Sequence, residues 1–164
     1  MFIFKKKSTN FVKNFDKVRF DIASLKGIVE VSGDKSISQR ALIIGLASIG
    51  ETLIEGILDS EDVFYTLKAV ESLGAKININ KSQKLLTVTG VGIGNFLSPK
   101  NPIYMGNSGT GTRLLIGLVA GSNATVTFYG DESLSNRPMD RIIDPLKKWE
   151  LILFLPKKKN YLLQ

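Results

Sequence analysis

The sequence predicts an α/β fold in which helices pack on a sheet. Three observations support this prediction: strand-like and helix-like segments alternate, a block of sequence recurs, and a Gly- and Ser-rich turn precedes an apolar helix in each copy. The 164-residue chain is 43% hydrophobic and 23% charged, which is enough apolar material for a sizeable core.

The recurring block begins with two similar turns. Residues 33–40 read Gly-Asp-Lys-Ser-Ile-Ser-Gln-Arg, and residues 106–113 read Gly-Asn-Ser-Gly-Thr-Gly-Thr-Arg. A short apolar run follows each turn, and the two copies continue with strand-like segments that end at glycine. The predicted strands cover residues 52–56, 75–80, 85–89 and 125–130. The two turns begin 73 residues apart (106 − 33). A repeat of this length suits a whole βαβ-containing block rather than a small solenoid unit.

Helix-like segments follow the strand-like ones. In the first copy, residues 63–73 place apolar side chains on one face, and Gly74 ends the helix. In the second copy, a helix is predicted over residues 138–148, with Pro138 in its first turn and Pro145 as an interior kink.

Composition restricts the chemistry. The chain has no cysteine and no histidine, so it lacks a disulfide framework and the commonest general base and metal ligand, and we expect no metal. The formal charge of +7 suits a nucleic-acid partner or small polyanions. Lysines are concentrated near both ends, and residues 1–25 are interpreted as a basic, solvated extension. No apolar stretch suits a membrane span or a secretory signal, so we expect a cytoplasmic protein.

The start of each predicted apolar helix is a candidate anion site. Helix-start N–H groups are unpaired, and the helix dipole favours negative charge there. In the first copy, Lys35 stands at the turn, and Ser36 and Arg40 share one helix face. A lysine, a hydroxyl and a guanidinium suit phosphate or carboxylate. The alternative is equally open: Ser36 caps the helix and Arg40 is a solvated surface residue.

The second copy carries its own polar helix start. Three glycines there would let the backbone approach a ligand closely, and Arg137 is predicted to open the last helix. The residues concerned are Gly106, Asn107, Ser108, Gly109, Thr110, Gly111 and Arg113. Ser108 as a simple cap is again the alternative. The spacing matches neither a P-loop nor a dinucleotide fingerprint.

At these turns the sequence resembles a known family, the shikimate-pathway enolpyruvyl transferases (5-enolpyruvylshikimate-3-phosphate synthases). Residues 33–40 are similar to the family's lysine-serine motif, residues 106–113 to its glycine-rich motif, and residues 130–139, Gly-Asp-Glu-Ser-Leu-Ser-Asn-Arg-Pro-Met, to its third motif. The resemblance covers residues 26–148. It implies a fold of repeated βαββαβ units, an inside-out barrel, of which this chain supplies about two units and is therefore incomplete.

The resemblance also implies an activity and site residues. The family transfers the enolpyruvyl group of phosphoenolpyruvate to the 5-hydroxyl of shikimate 3-phosphate without a cofactor, and its members are expected to be monomeric. Phosphoenolpyruvate would contact Lys35, Asn107, Gly109, Thr110 and Arg137. Shikimate 3-phosphate would contact Lys35, Ser36 and Arg40. Arg113 would shape the field. Gln39 departs from the family's usual histidine, and the general acid and base are expected outside this chain.

The family pattern breaks after Lys148. Members continue Met-Gly-Ala, whereas residues 149–164 begin Trp-Glu-Leu-Ile, which a single-base shift in the gene would explain. On this hypothesis the tail has no selected fold, and the chain alone is expected to be inactive.

Two other functions compete with this interpretation. The sibling enzyme that transfers enolpyruvyl to UDP-N-acetylglucosamine usually has Lys-Asn at the first motif and a reactive cysteine before the third arginine. Here Ser36 follows Lys35 and cysteine is absent. A basic nucleic-acid-binding module would interleave basic and aromatic residues on one surface, whereas the aromatics here are scattered along the sequence. A degenerate, inactive fragment is compatible with the family resemblance.

Overall fold

The computed structural model describes residues 27–29, 31–80, 82 and 85–149, and the backbone of 161–163. The chain divides into two compact units, residues 1–30 and 31–164, and the elements below belong to the second. The predicted extension over residues 1–25 lies outside the described residues. The helices are α1 (Lys35–Ala47), α2 (Glu61–Ser72), α3 (Gly109–Val119), α4 (Glu132–Ser135) and α5 (Asp140–Lys148). The strands are β1 (Ile49–Glu55), β2 (Lys76–Asn80), β3 (Leu85–Val91), β4 (Ile103–Tyr104), β5 (Phe128–Tyr129) and β6 (Tyr161–Leu163).

The first sheet is antiparallel, with strand order β1-β3-β2. The predicted strand pair is confirmed as β2 and β3, which pair from Lys76 opposite Thr89 to Asn80 opposite Leu85. Strand β1 begins three residues before the predicted strand, because Ile49 already pairs with Val91. The predicted α/β class is confirmed, since helices and sheets share one core.

The second sheet is smaller, with strand order β4-β5-β6. Strands β4 and β5 are parallel, and β6 pairs antiparallel with β5. The strand predicted over residues 125–130 is too long, since regular pairing is limited to Phe128 and Tyr129. Strand β6 lies within residues 149–164, the segment expected to lack a selected fold. Its backbone pairs with the edge of β5. Residues 150–160 and 164 lie outside the described residues.

Helix α1 packs tightly against the first sheet because two glycines remove side chains from the contact. A Cβ on Gly45 would lie 3.0 Å from the Cβ of Val88, and a Cβ on Gly90 would collide with the carbonyl of Gly45. Leu42 and Leu46 of α1 are fully buried in the core behind this contact. Burying such side chains contributes about 1.5 to 3 kcal/mol each relative to exposure.

Helix α2 follows its local signals closely. Its buried face carries Val63, Leu67 and Val70, as the periodicity predicts. Gly74 ends the helix with φ +112°, a conformation that favours glycine.

The end of the second copy differs from the prediction. Helix α5 begins at Asp140, so Arg137 and Pro138 lie in the turn between α4 and α5 rather than in a first helical turn. The reason is local: the carboxylate of Asp131 accepts from Leu134 N at 2.7 Å and caps α4 upstream. Pro145 lies inside α5, which nevertheless continues to Lys148.

Candidate anion-binding site

The start of α1 is capped, but not by serine. Asp34 is the N-cap residue, and its carboxylate accepts from Ile37 N at 2.7 Å. Ser36 lies inside the first turn and is half-buried, so the serine-cap alternative is wrong for this helix. The negative charge of Asp34 already interacts favourably with the helix dipole. The N–H groups of α1 are therefore a poorer anion site than the sequence predicted.

Lys35 does not stand alone at this helix start. Its Nζ lies 2.8 Å from Oδ2 of Asp62, in the first turn of α2. The lysine side chain is half-exposed and the Asp62 side chain is mostly covered. Such an exposed pair is worth about 0 to 1 kcal/mol, so an incoming dianion can compete for the ammonium group. Arg40 is exposed on α1, and no carboxylate in the described part of the chain pairs with it.

The start of α3 is open. Ser108 occupies the N-cap position, yet its side chain makes no capping hydrogen bond. In the described part of the chain no side chain accepts from the first N–H groups of α3, although Gly109 N donates to the Asn107 carbonyl at 2.9 Å, and the dipole favours an anion there. Asn107 and Thr110, on either side of Ser108 and Gly109, are both exposed to solvent. The serine-cap alternative thus holds for the position of Ser108 but not for its hydroxyl.

Two arginines converge on this open start. The Arg137 Nη2 group donates to Oδ1 of Asn107. Arg113 donates from Nη1 to the Gly109 carbonyl at 3.3 Å and from Nη2 to the Pro138 carbonyl at 2.9 Å. Through these bonds Arg113 ties α3 to the turn that carries Arg137.

Gly109 lies directly beneath the guanidinium groups. A Cβ there would be 2.7 Å from Nη1 of Arg137 and 3.2 Å from Nη1 of Arg113. Only glycine leaves Arg137 in its present place. Two guanidinium groups close to an open helix start make this point attractive to an anion.

A buried amide joins the helix starts. Gln39 Nε2 donates to Ser108 Oγ at 2.6 Å and to Thr66 Oγ1 at 3.1 Å, and it lies 3.3 Å from the Asp62 carbonyl. Gln39, Thr66 and Ser108 are each 0% exposed. The starts of α1, α2 and α3 are therefore held together by one side chain.

Sequence reasoning missed Asp62, Thr66 and this role of Gln39. The acidic first turn of α2 was visible, but nothing local connects it with Lys35. Gly111 was expected to admit a ligand; instead, a Cβ there would lie 2.6 Å from Thr66 Oγ1 and 2.7 Å from Ser108 Oγ. Gly111 makes room for the buried polar cluster, not for substrate.

An aromatic row lies beside the site. The rings of Phe64, Tyr65, Tyr104 and Tyr129 follow one another with centroids 5.7, 5.1 and 5.0 Å apart. Aromatics that are scattered in the sequence are thus neighbours in space. Partial burial raises the pKa of Tyr104, and repulsion from the phenol groups of Tyr65 and Tyr129 and from two carboxylates raises it further. Those carboxylates belong to Asp131 and Glu61.

A separate groove of about 820 Å³ is mostly apolar. Its lining includes Phe64, Leu67, Ile79 and Leu85, and none of the predicted substrate-contact residues. Across the described ranges, no three His, Cys, Asp or Glu side chains gather as they would around a metal ion. No helix in the same ranges combines the length and apolar character needed to cross a membrane.

Together these features define an α/β protein with a cationic, glycine-opened site at converging helix starts. The chain belongs to the EPSP synthase (3-phosphoshikimate 1-carboxyvinyltransferase) family, whose model matches residues 21–162. The match extends past residue 149 into the segment predicted to be a separate tail.

Relatives and solved structures agree with the family assignment. The chain is 52% identical over 126 residues to the 3-phosphoshikimate 1-carboxyvinyltransferase of Rhodopseudomonas palustris strain BisB5, covering 77% of this chain and 28% of the relative. It is 54% identical over 123 residues to that of Afipia carboxidovorans strain OM5, covering 75% and 28%. A solved EPSP synthase from Acinetobacter baumannii matches with a TM-score of 0.75 and 35% identity, covering 84% of this chain and 32% of that one. The chain thus spans under a third of these proteins.

Proposed function

We propose that the chain forms part of an enzyme that transfers the enolpyruvyl group of phosphoenolpyruvate to the 5-hydroxyl of shikimate 3-phosphate, in chorismate biosynthesis. In this reaction the 5-hydroxyl oxygen forms a bond to the enolpyruvyl carbon, the bond from that carbon to the phosphate oxygen breaks, and inorganic phosphate leaves with, in net terms, the hydroxyl proton. Both substrates carry a phosphate and a carboxylate, so a site that holds them side by side needs fixed cations. Membership of the family and the names of the relatives support the proposal.

One observation carries the proposal furthest: Gly109 lies beneath Arg137 at the uncapped start of α3. A phosphate placed there would meet backbone N–H groups, the Arg137 guanidinium and the Asn107 amide in one small volume. A helix start without a carboxylate cap is suited to an anionic ligand in a way that the Asp34-capped start of α1 is not.

The proposed contacts divide between the substrates. Phosphoenolpyruvate contacts Lys35, Asn107, Gly109, Thr110 and Arg137. Shikimate 3-phosphate contacts Lys35, Ser36 and Arg40, and Arg113 acts by positioning the turn that carries Arg137. In the absence of substrate, Asp62 partly neutralises Lys35.

The proposal extends to the architecture of the whole protein. We expect repeated βαββαβ units in an inside-out barrel, with the substrates in a cleft. No general acid or base is assigned on this chain, and we expect it to be inactive by itself, in the cytoplasm, and monomeric when joined to its remaining units. The proposed segments are 1–25, 26–148 and 149–164. The gene's nucleotide sequence past codon 148 tests the last boundary, since a single-base shift must restore the family sequence.

The alternatives have less support. The aromatic row could stack nucleic-acid bases, but Glu61 and Asp131 are the carboxylates that act on Tyr104, and they would repel a phosphate backbone. The UDP-sugar transferase is disfavoured by Ser36 after Lys35 and by the absence of cysteine.

A chimera tests the proposed function. The segment of the Rhodopseudomonas palustris enzyme that matches this chain is replaced by residues 27–148, and phosphate release from phosphoenolpyruvate is measured with shikimate 3-phosphate. We expect kcat/KM within about tenfold of the unaltered host enzyme, equal to 1.4 kcal/mol in barrier. Replacing Lys35 or Arg137 with alanine in the chimera should abolish most turnover.

Matched controls are the exposed cations Lys68 and Arg141 on α2 and α5, whose alanine variants should retain activity. A chimera that folds with the host's circular dichroism and melting temperature, yet releases no phosphate, contradicts the proposal. Equal losses from the site and control variants would contradict the residue assignments.

A further inference from the structure

Gln39 is a fully buried polar side chain that bonds to the starts of two other helices, and it is not among the proposed substrate contacts. It is 0% exposed on α1, and its Nε2 reaches Ser108 Oγ at 2.6 Å and Thr66 Oγ1 at 3.1 Å. Buried polar groups in native proteins are normally paired. The three side chains therefore form a cluster, the Gln39–Thr66–Ser108 cluster, that spans three helices.

The hydrogen bonds of this cluster are mutually compatible. Thr66 Oγ1 donates its hydrogen to the Asp62 carbonyl at 2.8 Å, so its oxygen is free to accept from Gln39 Nε2. Ser108 Oγ accepts the second amide hydrogen. Gln39 Oε1 is buried without a partner in the described part of the chain. The amide thus acts only through its nitrogen, as a donor to two helices other than its own.

The starts of α1 and α3 carry proposed phosphoenolpyruvate contacts, and the start of α2 carries the ion-pair partner of one of them. Lys35 lies on α1, and its partner Asp62 lies on α2, whose backbone carbonyl at Asp62 is 3.3 Å from Gln39 Nε2. Ser108 precedes Gly109 on α3. A displacement of α3 from α1 would therefore change the distance between Lys35 and the Asn107–Gly109 side of the pocket.

The space around the cluster is filled. A Cβ on Gly111 would lie 3.0 Å from Gln39 Nε2 as well as against the two hydroxyls. The amide nitrogen has little room to move without losing one of its bonds. The close packing and the two bonds from Nε2 restrict the relative positions of the three helix starts.

We infer that Gln39 is a positioning residue, whose buried amide nitrogen sets the spacing between Lys35 and the start of α3 and so determines affinity for phosphoenolpyruvate. This inference rests on the proposed function for its ligand, and on the observed hydrogen bonds for its geometry. It assigns Gln39 no contact with substrate.

The test compares Gln39→Met with Gln39→His in the full 164-residue chain. Methionine has similar length but no donor, whereas histidine keeps one ring N–H for Ser108. Leu86→Ala, in the first sheet, is the control for general destabilisation. Two quantities are measured by NMR: amide hydrogen exchange without ligand, and the dissociation constant for phosphoenolpyruvate.

The diagnostic amides are those that close the first turn of each helix: Ser38 N to the Asp34 carbonyl, Phe64 N to the Ser60 carbonyl, and Thr112 N to the Ser108 carbonyl, at 2.9 to 3.0 Å. The reference amide is Ile143 N in α5. In Gln39→Met we expect the three amides to exchange about tenfold faster relative to Ile143. The dissociation constant for phosphoenolpyruvate should rise about tenfold, and Gln39→His should reverse most of both changes.

Other outcomes overturn the inference. If exchange rises equally at Ile143, or follows the pattern of Leu86→Ala, Gln39 acts only on overall stability. If the three amides loosen but phosphoenolpyruvate affinity is unchanged, Gln39 does not position the site. If the unaltered chain binds no phosphoenolpyruvate, the proposed ligand fails in this chain, while the exchange pattern still decides whether the amide joins the three helix starts.

Discussion

Gly109→Ala should separate ligand affinity from stability. The new Cβ would lie 2.7 Å from Nη1 of Arg137, so the guanidinium must move at least about 0.7 Å to reach the 3.4 Å of an ordinary contact. Such a shift displaces the guanidinium from the start of α3 and alters the geometry of its bond to Asn107. Losing a charge-assisted contact is worth about 1.5 to 3 kcal/mol, so affinity for phosphoenolpyruvate should fall about 10- to 100-fold.

Stability should barely change, because the displaced atoms are the end of an exposed side chain. We expect the free energy of unfolding to alter by less than about 1 kcal/mol, since alanine also favours the helix. Affinity is read from amide shifts during a phosphoenolpyruvate titration, and stability from urea unfolding. Unchanged affinity, or a loss of affinity that merely follows a loss of stability, would refute the reasoning.

Three further changes have distinct expected outcomes. Gly111→Ala should destabilise the fold by about 2 to 4 kcal/mol in urea unfolding, because the new Cβ would collide with buried polar atoms. A loss below about 1 kcal/mol would show that the Gln39–Thr66–Ser108 cluster is loosely packed. Lys35→Ala should weaken phosphoenolpyruvate binding about tenfold by NMR titration. The control Lys68→Ala removes an exposed ion pair with Glu71 and should not weaken binding. Equal effects of the two changes would indicate that phosphoenolpyruvate is attracted non-specifically by positive charge. The raised pKa of Tyr104 means that the fold favours the protonated phenol. The contribution of Tyr104 to the free energy of unfolding is therefore complete below the unfolded pKa of about 10, and it is lost as pH rises through the folded pKa. Urea midpoints should therefore fall less above pH 10 in Tyr104→Phe than in the unaltered chain, and identical pH profiles would contradict this.

Local signals accounted for much of the fold. Helix α2 and the β2–β3 pair were predictable because periodicity, Gly74 and alternating apolar residues act within a few positions. The start of α5 was not, because Asp131 caps a short helix upstream and leaves Arg137 in a turn. The length of β5 was overestimated because strand pairing depends on neighbours that are distant in sequence.

The site was only partly predictable from the sequence, because its residues come from segments that are distant in sequence. Asn107, Gly109 and Arg137 were named from motifs, and the structure brings them together. The Gln39–Thr66–Ser108 cluster joins residues 27 and 69 positions apart, so no local pattern could reveal it. The family resemblance marks residue 39 only by the absence of histidine, because the role of glutamine there depends on contacts with Thr66 and Ser108.

The most direct test of the anion site is an NMR titration of the 164-residue chain with phosphoenolpyruvate, followed through every assigned backbone amide. We expect saturable shifts concentrated at the start of α3, at Lys35 and in the turn around Arg137, with the terminal lysines unaffected. Shifts confined to the lysine-rich ends, or spread evenly over the surface without saturation, would contradict the claim that converging helix starts form the substrate pocket.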